Sequence, residues 1–114
     1  MQIELDGLTL EFSDCMEVGQ GGPEACSLAV NGNAIVGEKF DPSPLLYEGK
    51  ILIPMRKIGF WKSGYVLTRL DPSSLTLERI SRVHEYMRLV RRRERSVEFV
   101  TTAWGTGTAF LPLP

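Results

Sequence analysis

Apolar and polar residues alternate in short runs along this chain, and turn residues separate the runs. Ile3 and Leu5 flank Glu4; beyond Asp6-Gly7, Leu8, Leu10 and Phe12 alternate with Thr9 and Glu11. A period of two turns one face of a strand toward a core and the other toward water. Asp-Gly between two such runs predicts a two-residue hairpin turn, because glycine tolerates positive φ. Asn31-Gly32 repeats the signal between runs 26–30 and 34–39, and Glu48-Gly49 joins 45–47 to 50–56. Asp71-Pro72-Ser73-Ser74 reads as a type I turn between strands at 65–70 and 75–80. Runs 97–102 and 108–111 complete the series. Pro54 has no N–H for a ladder, which predicts a sheet edge or a bulge there. The tail Pro112-Leu113-Pro114 reads as a frayed, extended end.

Segment 81–95 admits two readings. Ile80, Val83, Met87 and Val90 recur at helical spacing, which gives an α+β alternative with one helix around 76–93. No capping box precedes it: neither Ser73 nor Ser74 has Glu or Gln three residues on. The strand reading of 83–91 is preferred, with 91–96 as the turn that follows. The expected fold is therefore all-β: an antiparallel sandwich or half-open barrel of eight to ten short strands, in one domain spanning 1–114. Leu28, Val30, Ile51, Ile53, Leu67, Leu75, Leu77, Val97 and Phe99 are its expected core, shared by both halves of the chain.

Charge adds a second pattern. Residues 1–55 carry nine carboxylates and two lysines, whereas 56–114 carry eleven basic residues and five carboxylates. The net charge of −1 hides this polarity. It favours either attraction between the halves of one fold or recognition of a charged partner by one face. No apolar run approaches the ~20 residues of a spanning helix, so no membrane partner is expected. The first residues, Met1 to Asp6, lack the basic and apolar regions of a secretory signal, which predicts a cytoplasmic protein. Cys15 and Cys26 are accordingly expected as free thiols. They and the sole histidine, His84, fit no structural zinc pattern, so neither metal nor cofactor is expected.

Candidate chemistry is sparse. A nucleophile needs a base within hydrogen-bond reach, and His84 is the only imidazole. Asp14 beside Cys15 opposes a reactive thiolate. No catalytic residues are assigned. Phe60-Trp61, between two glycines, has the character of an interface anchor, and Asp41 and Glu48 of the acidic half join it as candidate partner-binding residues. Arg88, Arg91, Arg92 and Arg93 form the alternative site, an anion-binding patch whose guanidinium forks suit phosphates. Phe60, Trp61, Tyr65 and Tyr86 would be its stacking platforms in RNA binding.

Two resemblances bear on these readings. Tyr47-Glu48-Gly49-Lys50-Ile51-Leu52-Ile53 and Gly64 to Leu75 resemble the hairpins of a β-propeller blade over 45–80, although the chain is too short to close a propeller. As a small, leaderless, β-rich chain it is also similar in type to the bacterial immunity proteins that neutralise toxins. That resemblance implies a non-enzymatic inhibitor whose partner is another protein, a toxin. It carries over no residues. RNA or phosphate binding is the alternative function, and a homodimer is compatible with either.

Overall fold

The computed structural model describes residues 1–17, 24–58, 63–102, 105 and 107–114. It is all-β, with a curled half-barrel sheet and a smaller second sheet. β1 (Gln2–Leu5), β2 (Leu8–Glu17), β3 (Glu24–Val30), β4 (Asn33–Phe40), β5 (Leu45–Tyr47), β6 (Lys50–Ile58), β7 (Ser63–Leu70) and β8 (Leu77–Arg79) make the large sheet. Its order is β1-β2-β3-β4-β6-β7-β8, with β5 paired to β6 beside β4. β9 (Arg88–Arg93), β10 (Ser96–Val100) and β11 (Thr108–Pro112) form the second sheet, in the order β11-β10-β9. Every pairing is antiparallel.

The hairpin signals act as their chemistry dictates. Asp6-Gly7, Asn31-Gly32 and Glu48-Gly49 all have positive φ at both turn residues. This backbone matches the twist of the flanking strands. The helical alternative around 76–93 is not what forms. β8 covers only Leu77–Arg79, and His84 makes a single reciprocal backbone pair with Tyr65 (2.7 and 2.8 Å). The arginines 91–93, expected in a turn, lie in β9; the turn is Glu94-Arg95, with Glu94 at φ 50°.

Two clusters replace the single expected core. Leu10, Phe12, Leu28, Val30, Phe40, Ile51, Ile53, Val66 and Leu70 fill the concave side of the half-barrel. Leu52, Tyr65, Leu67, Met87, Leu89, Val97 and Phe99 fill the space between β6–β7 and the second sheet. β6 and β7 are therefore covered on both faces. That explains the unbroken apolar stretch Ile51-Leu52-Ile53-Pro54-Met55, where alternating residues serve different clusters. Leu75 and Leu77 pack only partly buried at the rim.

Pro54 lies within an interior strand, paired with Leu67. Its carbonyl accepts from Asp41 N–H (3.0 Å), at the break between β4 and β5. A strand residue points its N–H and C=O to the same side. The missing N–H thus faces the broken neighbour, where no ladder acceptor is lost. The C-terminal tail is docked rather than frayed: Leu113 is buried and its N–H donates to Arg95 O (2.6 Å).

Gly64 sits against the backbone of segment 83–84. A Cβ there would strike the carbonyl oxygen of His84 and crowd Val83. Gly64→Ala is expected to cost about 2–3 kcal/mol, as overpacking does. Urea unfolding measures it, and an unchanged midpoint would show that segment 83–84 yields freely.

Candidate functional site

The two sheets are joined by a buried polar centre. Asp41, wholly buried, follows β4 in the rigid Asp41-Pro42-Ser43-Pro44 connector. Its carboxylate accepts from Arg88 Nη2 (3.0 Å) and Nε (3.3 Å), Ser43 Oγ–H (2.6 Å) and Glu24 N–H (3.2 Å). Ser43 Oγ in turn accepts from Leu89 N–H (3.1 Å). The hydrogen bond to Asp41 holds the Arg88 guanidinium above its ordinary pKa, against the opposing effect of burial. Asp41, a candidate partner-binding residue, is thus placed in the interior with its oxygens engaged.

Tyr65 lies beside this centre. Its hydroxyl donates to Glu24 O (3.0 Å), and Arg56 sits 5.5 Å from its ring centroid. Burial pushes its pKa up to about 12 from 10.0, with Arg56 opposing. The folded pKa lies above the unfolded one, so the stability linked to this group is complete below pH 10 and lost as pH rises toward 12. Tyr65→Phe is expected to flatten that part of the alkaline limb. Chemical denaturation at stepped pH measures it; an unaltered slope would contradict it.

The arginine strand divides its side chains between two faces. Register sets Arg91 opposite Glu98 and Arg93 opposite Ser96 on the outer face, with Arg92 opposite buried Val97 on the inner one. Arg91 Nε donates to Glu98 Oε1 (2.7 Å), which holds that carboxyl below its usual range. Arg92 lies 5.0 Å from the Tyr47 ring and donates to Glu94 O (2.5 Å). Arg93 lies 6.0 Å from the ring of Phe110. Two of the four candidate anion-binding arginines, Arg88 and Arg91, therefore face carboxylates, and the other two rest on aromatic rings. Of the expected stacking residues, Tyr65 is buried and Tyr86 half-buried. Phe110, 51% exposed, occupies the outer face instead. Phe60 and Trp61 lie outside the described residues. Glu48 is exposed at the β5–β6 turn.

The feature that sequence reasoning missed is in β4. Cys26 pairs with Phe40 and Leu28 with Ile35, so Ser27 alone stands opposite Val36-Gly37-Glu38-Lys39. The surplus residues arch out of the sheet, with Gly37 at φ 89°. A hollow of about 360 Å³ lies under the arch, walled by Glu11, Glu38 and Lys39 and floored by Ser13, Ser27, Ala29 and Ala34. Lys39 Nζ donates to Ser27 Oγ (2.7 Å) across it. Among the described residues, β4 meets β6 in register only at Phe40–Met55. Val36 is 89% exposed and Ile58, at the end of β6, is 79% exposed. The glycine inside a strand-like run was the available signal, since it marks bulges.

The remaining chemistry is absorbed by the fold. His84 sits half-buried with its ring edge-on to Phe99, 5.1 Å between centroids. Cys15 and Cys26 are bonded to each other, contrary to the expected free thiols. The pairing of β2 with β3 breaks register between Ser13 and Met16, and this brings the two Cα atoms to 4.0 Å. No helix among the described residues is long and apolar enough to cross a membrane. No known protein family, curated protein or solved structure matches the chain.

Proposed function

We propose that the chain is a non-enzymatic protein-binding domain of the immunity type, which neutralises a partner protein by covering it. The arched segment of β4 carries this reading. Among the described residues, no neighbouring strand pairs its backbone in register on the β6 side, and Val36 beside it is 89% exposed. An extended segment of a partner can add to such an edge through main-chain hydrogen bonds, with side-chain pockets giving specificity. The adjoining outer face presents Glu4 and Glu11, both exposed, which attract a basic surface and raise the association rate. RNA binding is less well supported, because Arg88 and Arg91 already serve carboxylates. The Cys15–Cys26 bond favours an oxidising compartment.

Affinity capture from the native source, followed by reconstitution from purified components, tests the reading. One partner protein is expected to bind the wild type at micromolar concentration or tighter. Val36→Asp should weaken that binding by at least about tenfold, as loss of a central anchor does. Absence of any stable protein partner, or equal binding by Val36→Asp, would overturn it.

A further inference from the structure

Cys15 and Cys26 do not stand alone. The Glu24 carboxylate lies 3.8 Å from Cys26 Sγ, and the ligand atoms of Cys15, Glu24 and Cys26 all fall within 4.8 Å of one another. We propose that reduction converts this disulfide into a binding site for a thiophilic divalent cation such as zinc, held by Cys15, Cys26 and Glu24.

The chemistry has two steps. A dithiol reductant breaks the S–S bond: each sulfur gains one electron and one proton, and the reductant closes to its own disulfide. Zinc then displaces the two thiol protons and binds both thiolates and one Glu24 oxygen, with water in the fourth position. Two thiolates and a carboxylate make an acceptable zinc set, and an open fourth position is compatible with tetrahedral coordination. Soft sulfur ligands select zinc over the hard cations magnesium and calcium.

The local fold permits the change. Zinc-bound sulfurs stand roughly 3.8 Å apart in a tetrahedral site, from Zn–S distances of ~2.3 Å, so the pair must separate. Cys15 is exposed and lies in the stretch where β2 and β3 lose register, next to Asp14 at φ 51°. It can shift without breaking a regular ladder. Cys26 is buried and its strand is fixed by the Cys26–Phe40 pair. Glu24 is held at its backbone: its N–H donates to Asp41 and its carbonyl accepts from Tyr65. One ligand is thus movable and two are anchored. Reductants and metal both reach the pair from the Cys15 side. The oxidised and metal-bound forms exclude each other, because a bonded sulfur pair has no thiolate to offer.

The test is a zinc titration of the full chain, reduced with a non-chelating phosphine and read by competition with a chromogenic chelator. Cobalt in place of zinc provides a thiolate-to-metal charge-transfer band. The reduced chain is expected to take up one equivalent with micromolar or tighter affinity, and the oxidised chain none. Cys15→Ser should abolish the band. Glu24→Gln, which keeps both thiols, should weaken zinc by at least about tenfold and remains decisive if the cysteine variant fails to fold. No uptake by the reduced chain, or uptake unchanged by Glu24→Gln, would overturn the proposal.

Discussion

Reducing the Cys15–Cys26 bond should lower the unfolding free energy by about 3 kcal/mol, the chain-entropy value for a loop of this length. The two cysteines are 11 residues apart, and the loop between them contains the glycine-rich run Gly19-Gln20-Gly21-Gly22. Such a segment has high conformational freedom in the unfolded chain, so closing it removes many states. For a domain of this size the midpoint of thermal unfolding should fall by roughly 10–20 °C on adding reductant. The double variant Cys15→Ala/Cys26→Ala should start at the lower midpoint and ignore reductant. A midpoint indifferent to reductant in the wild type would show that the bond constrains nothing.

Arg88→Met should cost about 3 kcal/mol. Removing one partner of a buried ion pair strands the other, and the penalty is typically 3–5 kcal/mol. Asp41 is wholly buried, while the Arg88 side chain is 40% exposed. Water can reach the site from that side, which places the effect at the low end of the range. The loss also cuts the only ion pair among the described residues that ties the end of β4 to β9. Asp41→Asn combined with Arg88→Met should recover part of the deficit, because no charge is then left without a partner. Urea unfolding of Arg88→Met, Asp41→Asn and the double variant gives the coupling energy directly. Near-additive costs would contradict a linked pair.

How far the sequence foretells this architecture depends on the range of the interaction. Hairpins at Asp6-Gly7, Asn31-Gly32 and Glu48-Gly49 were legible because turn chemistry is local. The all-β class and most of the core followed from alternation, with Leu75 and Leu77 at the rim. The second core was not legible. Ile51 and Leu52 look alike in sequence, and only tertiary packing sends them to opposite faces. Segment 81–87 also resisted reading, since its shape is set by the distant Tyr65–His84 pairing. Among site residues, the acidic half suggested Asp41 as a surface contact, but sequence cannot show that Arg88 neutralises it from 47 positions away. The thiols were misjudged because compartment was inferred from the N-terminal residues, whereas the β2–β3 register brings them together.

The proposed grip on another protein lies along the arch of β4. Site-specific photo-crosslinking in the native cell tests it most directly. A photoreactive residue at Val36 should yield one discrete adduct with a second protein, and the same group at Glu78, exposed on β8, should yield none. Equal adducts at both positions, or no adduct at Val36, would contradict the account.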